Sequence, residues 1–282
     1  MKSLKNKGLD GNNNDIMIPE HILNRKGARS AKDLNPEAIE YLNKGLIETK
    51  NLMEWLAVDQ LALLKLVLSG IGKIEWFSDF EAAVNQQKKP TANSNTKVIG
   101  QNFGVLTQNQ EIYKVLKNHT SDVVRCWSCW AESIHYDEVS TLLPVMQQYA
   151  ADTHFGVREV VIFATKERMI EDLDTAISIL TKWTSDDDEN IRRYAVESLR
   201  PVGVWTKKIA EFQENPEKGI GLLEPLKSDN SKYVRDAVAN WLNDASKSKP
   251  DWVLAVCNRW EKESSTKETA YILKRGLRTI NK

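Results

Sequence analysis

The chain has 282 residues, and its 39 basic and 39 acidic side chains cancel, so no net positive charge marks it as a nucleic-acid-binding protein. No apolar run approaches the roughly 20 residues that a membrane-spanning helix needs, and the N-terminus lacks the apolar core of a secretory signal. Three cysteines in a chain without an export signal argue against a disulfide framework and predict a cytoplasmic protein.

The first third of the chain predicts a polar tail followed by helices. Residues 1–15 are rich in Asn, Lys and Gly, and we expect them to be disordered. A helical region is predicted over residues 16–97, in which Asn35 is a candidate N-cap and the apolar residues of 46–68 have helical spacing. Residues 86–97 are polar and predict a surface loop or joint before the next part of the chain.

Residues 98–282 carry four copies of a short pattern, in which an aliphatic residue is followed by arginine and a helical run. The arginines lie 33, 34 and 43 residues apart. This period is typical of stacked helical hairpins, and HEAT-type repeats carry an arginine at the start of each second helix. A fifth, weaker copy begins near Thr266. The four pairs are Val124-Arg125, Val157-Arg158, Ile191-Arg192 and Val234-Arg235.

We therefore predict an all-α fold, an α-solenoid of HEAT-like helical hairpin repeats that curves around a concave groove. The repeats are expected to form one continuous superhelix with the N-terminal helical region. First helices are predicted over residues 142–149, 173–183, 219–226 and 252–260. Acidic or hydroxyl residues precede the second helices and suit their N-termini: they are Asp122, Thr153, Asp188 with Glu189, and Ser231.

The basic residues of the repeats fall into two sets. The four repeat arginines either pair with a carboxylate of a neighbouring repeat, which we favour, or contact phosphates. A second set is less readily explained by architecture, and its members either contact phosphates or form a solvated face. That set is Arg193, Arg200, Lys247, Lys274, Arg275 and Arg278.

Three tryptophans lie in or just after second helices, near the expected groove: Trp127, Trp130 and Trp205. An indole face there can stack on a base or hold a cationic ring. Core packing is an equally good interpretation of Trp127.

Cys126 and Cys129 form the one pattern that invites a redox or zinc interpretation. A zinc site needs four ligands, and only Cys257 and four scattered histidines remain, none at finger spacing. A redox pair starts a helix after a strand, whereas this pair follows Arg125 inside a predicted helix. We therefore interpret both cysteines as buried small residues and predict no metal site.

The densest polar stretch is 192–205. Pro201 ends the predicted helix, so Arg200 and Trp205 flank a turn close to Glu197. A carboxylate beside an arginine and an indole fits a catalytic or binding cluster, and an ion pair that closes a helix end would have the same pattern.

This stretch resembles the Arg-Arg-x-Ala-x-Glu-x-x-Arg-Pro…Trp element of the bacterial HEAT-repeat DNA alkylation repair proteins, the AlkC/AlkD superfamily. The similarity continues through 229–235, 238–247 and 250–251, and closes with the Arg-Gly-Leu-Arg-Thr of 275–279. It covers the chain from Ser121 to the end.

The resemblance implies a monofunctional DNA glycosylase that removes N3- or N7-alkylated purines from double-stranded DNA, as a monomer and without a cofactor, a metal or a membrane. It implies Glu197 as the carboxylate that stabilises positive charge on the sugar, with His154 and Glu159 as further catalytic candidates. The implied DNA contacts are Trp127, Trp130, Arg158, Arg193, Arg200, Trp205, Arg235, Asn240, Asn243, Asp244, Lys247, Arg275 and Arg278.

The chain departs from the pattern at two places. His154 stands where AlkC-like enzymes carry a catalytic glutamate in Ser-Glu-Phe-Ala-Ile-Arg, and Val202 stands where the family often has the second arginine of Arg-Pro-Arg. An AlkD-type tryptophan and aspartate occur at Trp55 and Asp59, far from the matched repeats, and we interpret them as coincidence. The alternatives are a non-catalytic HEAT module that binds damaged or branched DNA, and a protein-binding scaffold.

Overall fold

The computed structural model describes residues 17–203 and 206–281, and every regular element in those ranges is a helix. The predicted tail over 1–15 and the indole of Trp205 lie outside the described residues. Four short 3-10 turns cover Ala31–Asp33, Ile74–Trp76, Pro216–Gly219 and Glu224–Leu226. The α-helices are α1 (Glu20–Leu23), α2 (Pro36–Asn43), α3 (Leu52–Ala57), α4 (Gln60–Gly70), α5 (Phe77–Asn85), α6 (Ala92–Leu106), α7 (Gln110–Lys117), α8 (Asp122–Ser133), α9 (Val139–Ala150), α10 (Phe155–Glu171), α11 (Leu173–Trp183), α12 (Glu189–Glu197), α13 (Ala210–Glu214), α14 (Ile220–Leu223), α15 (Lys232–Ala245), α16 (Pro250–Glu263) and α17 (Lys267–Gly276).

The helices form two compact units. The N-terminal unit contains the described residues up to His135 together with His154–Val160, and the C-terminal unit contains Tyr136–Thr153 and the residues from Val161 onward. Among the described helices, none has both the length and the apolar character that crossing a bilayer requires.

The predicted joint over residues 86–97 is wrong in its second half. α6 begins at Ala92 because Thr91 and Ser94 form a capping box, in which each side chain accepts a hydrogen bond from the other residue's backbone N–H. The predicted boundary at residue 97 therefore lies inside a helix. That helix packs against α8 within the N-terminal unit.

A close approach of α6 to α8 forms the core of the N-terminal unit. A Cβ atom at Gly100 would lie 2.4 Å from the Trp130 Cβ and 2.6 Å from the Trp127 carbonyl oxygen, so only glycine fits this crossing. The Phe103 ring lies 4.7 Å from the Phe80 ring and 6.4 Å from the Trp127 ring, between centroids. Aromatic packing of this kind places Trp127 in the interior, with no exposed surface.

The C-terminal unit consists of the predicted hairpins. α11, α14 and α16 lie where first helices are predicted, α12, α15 and α17 follow them as second helices, and α12, α15 and α17 pack in succession. The predicted caps Asp188 and Ser231 accept hydrogen bonds from the backbone N–H groups of Asn190 at 2.8 Å and Tyr233 at 3.2 Å. Asp122 stands at the N-terminus of α8 as predicted, but it does not cap the helix, because its buried carboxylate bonds to Thr49.

The repeat arginines fix the turn that precedes each second helix. Each is the fourth residue of its helix, and three of them donate to the carbonyl oxygens six and five positions earlier. These carbonyls follow a helix end and have no helical partner. The bonds are Arg125 to His119 and Thr120 at 2.9 and 3.1 Å, Arg192 to Asp186 and Asp187 at 2.8 and 2.9 Å, and Arg235 to Asp229 and Asn230 at 2.9 and 2.7 Å.

The ion pairs of these arginines confirm the architectural interpretation for Arg125 and Arg192. Arg192 also pairs with Asp229 in the turn of the following repeat, at 2.8 Å, and both side chains are largely buried. Arg125 pairs with Glu48 at 2.6 Å.

We predict that Arg192→Ala lowers the free energy of unfolding by roughly 1.5–3 kcal/mol, the usual contribution of hydrogen bonds to a charged group. Urea unfolding followed by circular dichroism measures the change. Arg29→Ala is the control, because Arg29 is exposed and its loss should change stability by less than about 0.5 kcal/mol. Equal effects of the two substitutions would show that the turn does not depend on Arg192.

Candidate active site

The C-terminal unit places a guanidinium between two carboxylates. Arg200 Nη1 donates to Glu197 Oε1 at 2.8 Å, and Arg200 Nε donates to Asp244 Oδ2 at 2.9 Å. Lys247 Nζ donates to the other Asp244 oxygen at 2.9 Å. Arg200 and Asp244 are buried, whereas the Glu197 side chain is 15% exposed. We call these four residues the Glu197 cluster.

The end of α12 brings these groups together. Pro201 stops the helix because it has no N–H and its ring clashes with the preceding turn. The chain then turns through Gly203, whose φ of +62° lies in the left-handed region that favours glycine. The Gly203 N–H donates to Asp244 Oδ2 at 3.3 Å, so the turn is bonded to α15 through the same carboxylate that holds Arg200.

The charges of the Glu197 cluster balance. Burial by itself lowers the pKa of Arg200, but Glu197 and Asp244 outweigh it and raise the pKa above its ordinary value. The cluster contains two cations, Arg200 and Lys247, and two carboxylates, Glu197 and Asp244. Glu197 Oε1 accepts the Arg200 bond, and Glu197 Oε2 has no hydrogen bond within the described residues.

A buried lysine that the sequence reasoning missed lies beside this cluster. Lys166 of α10 is 3% exposed, and its Nζ donates to the Ser198 carbonyl oxygen at 2.7 Å. Burial lowers the pKa of Lys166 to about 7; the carboxylates of Glu197 and Asp244 oppose this shift, and Arg200 adds to it. A signal existed, since a lysine stands on the apolar stripe of a predicted second helix, and lysine is rarely buried without a partner.

Two segments of the family-like motif bond to each other. Arg278 Nη2 donates to Asn240 Oδ1 at 2.9 Å, and Thr279 Oγ1 donates to Asn243 Oδ1 at 2.9 Å. The segment after α17 is thereby attached to α15, next to Asp244. The motif residues are separate in the sequence, and these hydrogen bonds join the 275–279 segment to α15, the helix that also carries Asp244 of the Glu197 cluster.

A second group of cations surrounds a tyrosine ring between α15 and α17. Lys232 Nζ, Arg235 Cζ and Arg275 Cζ lie 5.6, 5.4 and 5.6 Å from the centroid of the Tyr271 ring. The Tyr271 hydroxyl donates to Asp236 at 2.6 Å, and Lys232 and Arg275 pair with the same carboxylate. We call these five residues the Tyr271 cluster. Three cations and one carboxylate leave it positively charged.

Comparisons with known proteins match the part of the chain that contains the Glu197 cluster. A family model described as DNA alkylation repair enzyme matches residues 160–271. The chain is 32% identical over 148 residues to the uncharacterized protein YhaZ of Bacillus subtilis (strain 168), and the match covers 52% of this chain and 38% of YhaZ.

Two solved structures share the fold. The first is the alkylpurine DNA glycosylase AlkC of Pseudomonas fluorescens bound to DNA containing an abasic site analog, with 21% identity, a TM-score of 0.64, and coverage of 89% of this chain and 64% of AlkC. The second is AlkD2 of Streptococcus mutans, with 25% identity, a TM-score of 0.53, and coverage of 72% of this chain and 96% of AlkD2. The chain is similar to DNA alkylation repair enzymes over residues 160–271, and to AlkC and AlkD2 in its fold. Its predicted fold class, an all-α HEAT-like solenoid, is confirmed.

The first departure from the AlkC-like pattern has a structural explanation in the N-terminal unit. His154 Nε2 lies 2.8 Å from the Thr49 carbonyl oxygen, and His154 Nδ1 accepts from the Gly156 N–H at 3.1 Å and lies 3.3 Å from Asp122 Oδ2. The ring is buried, so the expected catalytic role of His154 is corrected to a structural one.

Gly156 stands where the AlkC-like pattern has an alanine, two residues after His154. A Cβ atom at Gly156 would lie 3.1 Å from His154 Nδ1 and 3.3 Å from Trp55 Cδ1, closer than most such contacts. A histidine at 154 therefore favours glycine two residues later. Asp59, the second residue of the AlkD-type pair, caps α4 by accepting a hydrogen bond from the Ala62 N–H at 3.0 Å. This local role agrees with the interpretation of the pair as a coincidental match.

Burial also corrects three of the predicted DNA contacts. Trp127 is fully buried and its Nε1 donates to Gln60 Oε1 at 3.1 Å, so it is a core residue of the AlkC/AlkD fold here. Asn243 and Asp244 are 4% and 2% exposed and bond to protein groups. They support the site and have no surface for a nucleic acid.

Of the other predicted DNA contacts that the structure describes, Trp130, Arg193 and Arg200 are buried, and the rest keep partial or full access to solvent. Trp130 is 9% exposed with Lys97 Nζ 5.1 Å from its ring centroid, and Arg193 is 7% exposed and stacks on Tyr233 at 4.7 Å. Arg158 and Glu159 are half-buried in the N-terminal unit.

The predicted burial of Cys126 and Cys129 is confirmed, and neither forms a disulfide bond. Within 17–203 and 206–281, no group of His, Cys, Asp or Glu side chains is placed to bind a metal.

We predict that Arg200→Met lowers the free energy of unfolding by roughly 3–5 kcal/mol, because it leaves the buried carboxylate of Asp244 without its main partner. Chemical unfolding of Arg200→Met, Asp244→Leu and the double variant measures the coupling. The double variant should lose less stability than the sum of the single losses, since neither charge then remains buried alone. Additive losses would contradict a direct Arg200–Asp244 interaction.

Proposed function

We propose that this protein is an alkylpurine DNA glycosylase that removes N3- or N7-alkylated purines from double-stranded DNA. The observation that carries the proposal is the Glu197 cluster, a half-buried carboxylate held by a buried arginine within the region that matches the DNA alkylation repair family. The chain spans 38% of the length of YhaZ and 64% of the length of AlkC, so the activity of this chain is our proposal and is not taken over from either protein.

The chemistry of the lesion suits a single carboxylate. An N3- or N7-alkylated purine is already cationic and leaves as a neutral base when the glycosidic bond breaks. Positive charge then develops on the sugar, and a carboxylate near the sugar stabilises it and orients the attacking water. Glu197 fits this role because Arg200 orients its carboxylate through Oε1 and the side chain keeps 15% of its surface exposed. Water as the nucleophile makes the enzyme monofunctional, and the reaction needs neither a metal nor a cofactor.

The Tyr271 cluster is our candidate for contacts to the DNA backbone. Arg275 and Lys232 are exposed, and Arg235 Nε is buried without a hydrogen-bond partner among the described residues. Phosphate groups attract such a set without regard to base sequence. We include Lys247, Arg278 and Arg158 as further backbone contacts, and we expect the protein to act as a monomer.

A non-catalytic protein that binds damaged or branched DNA is the second candidate. One observation favours it: a histidine that is only 7% exposed occupies the place of a catalytic glutamate in AlkC-like enzymes. Glu159, half-buried in the N-terminal unit, is the other carboxylate that we consider for catalysis.

We predict that Glu197→Gln reduces the rate of base release by about 10²–10³-fold, a typical loss when one transition-state electrostatic group is removed. The assay is release of 7-methylguanine or 3-methyladenine from a methylated duplex, under single-turnover conditions. The neutral amide keeps the shape of the side chain, so the affinity for the duplex should change little.

The control for Glu197→Gln is Glu171→Gln, which changes an exposed carboxylate of α10 and should leave the rate intact. Full activity of Glu197→Gln would exclude Glu197 as the carboxylate and would direct the test to Glu159→Gln. Tight duplex binding by a wild-type protein that releases no base would support the non-catalytic candidate.

We predict that duplex affinity falls with salt, and that Lys232→Gln and Arg275→Gln each reduce the log–log slope by about 0.9, the contribution of one neutralised phosphate. Fluorescence anisotropy at several salt concentrations measures the slope. Lys182→Gln is the matched control, because Lys182 is an exposed lysine of α11, the first helix of its hairpin. An unchanged slope in both Tyr271-cluster variants would place the DNA elsewhere, and no DNA affinity at all would favour a protein-binding scaffold.

A further inference from the structure

Lys166 closes the C-terminal end of α12. Its Nζ donates to the Ser198 carbonyl oxygen at 2.7 Å and lies 3.5 Å from the Arg200 carbonyl oxygen. The last carbonyls of a helix have no partner within the helix and form its negative pole. Pro201 prevents the helix from continuing, so these carbonyls need donors from elsewhere in the fold.

Every carbonyl from Ser198 to Pro201 has such a donor. Trp241 Nε1 donates to the Leu199 carbonyl oxygen at 2.9 Å, and the Ile209 N–H donates to the Pro201 carbonyl oxygen at 2.9 Å. Lys166 supplies the donors for the other two. It is the one side chain of this set that carries a charge, and a cation at a helix C-terminus is favoured by the helix dipole.

The turn that Lys166 holds is the turn that carries Arg200. The Lys166 bonds fix the backbone at residues 198 and 200, and the Arg200 guanidinium then reaches Glu197 and Asp244. A shift of this backbone therefore moves Arg200 and, through it, Glu197 Oε1. The order of contact is lysine, turn, arginine and carboxylate.

The charged groups around Lys166 come from three elements. Glu197 is the last residue of α12, Arg200 lies in the turn, and Asp244 lies on α15. Burial lowers the pKa of Lys166 to about 7; the two carboxylates oppose the shift, and Arg200 adds to it. The amine therefore changes between its charged and neutral forms near neutral pH. The charged form makes the stronger hydrogen bonds to the turn.

We propose that Lys166 is a positioning residue for the Glu197 carboxylate, acting through the Ser198–Pro201 turn and Arg200. The proposal rests on the proposed function of the Glu197 cluster. Lys166 itself is too deeply buried to contact DNA.

Two pH profiles with opposite directions test the proposal. The rate of base release should fall as pH rises through about 7, because the neutral amine holds the turn less firmly. Folding stability should rise with pH between about 7 and the ordinary lysine pKa near 10.4, because the folded state then binds fewer protons than the unfolded state at this residue.

Lys166→Met removes the donor, and Lys166→Arg keeps a donor that is always charged. We expect Lys166→Met to lower the single-turnover rate by up to about 10²-fold, the effect of a misplacement near 1 Å, while the dissociation constant for the duplex stays within a few-fold. Lys166→Arg should retain more of the wild-type rate than Lys166→Met does. Its rate should no longer fall as the pH rises through about 7. Lys207→Met is the control, because Lys207 is an exposed lysine that pairs with Glu167 in the same unit.

The outcomes distinguish failure of the glycosylase activity from failure of the positioning role of Lys166. If the wild-type protein releases no base, the proposed function fails and this proposal fails with it. If the wild-type protein is active and Lys166→Met shows the same rate and the same pH profile as the wild type, Lys166 does not position the site. A loss of rate that is the same at every pH would also overturn the proposal, since it would mean that Lys166 acts only through packing. If Lys166→Met does not fold, the pH step in Lys166→Arg decides alone.

Discussion

The candidate site depends on one guanidinium buried between two carboxylates. Burying Arg200 and Asp244 removes both from water, a cost that only close pairing offsets. The pair therefore constrains everything attached to it: the end of α12, the turn at Gly203 and the position of Glu197. An apolar pair would hold the helices equally well, but it would leave Glu197 without an orienting partner. The retained charge is consistent with a role beyond packing.

Arginines serve two different purposes in the repeats. Arg192 and its equivalents at the fourth helix position bind the turn carbonyls before their own helix, so they stabilise individual hairpins. Arg200 and Arg278 connect residues of different hairpins around α15. Spacing along the sequence identifies the first kind, because each arginine stands at the same place in its repeat. Of these arginines, Arg200 is the one that bonds to Glu197.

Part of the site was predictable because a family-like motif marks it. Glu197 and Arg200 were singled out from the stretch that contains them, and the structure places them in contact. The motif does not reveal which of its members face solvent, so it predicts DNA contacts at Asn243 and Asp244, although both are buried. The sequence pattern places His154 at the position of a glutamate and predicts catalysis, whereas the structure places it against Thr49 and Asp122.

The sequence by itself determined the local structure: the hairpin period, the caps at Asp188 and Ser231, and the end of α12 at Pro201. Each of these depends on residues a few positions apart, and helix geometry relates such residues without further information. The tertiary structure decided the partners of the buried polar groups. Lys166 meets Ser198 32 residues away, and Arg200 meets Asp244 44 residues away. Such pairs depend on how whole helices pack, and no local periodicity encodes them.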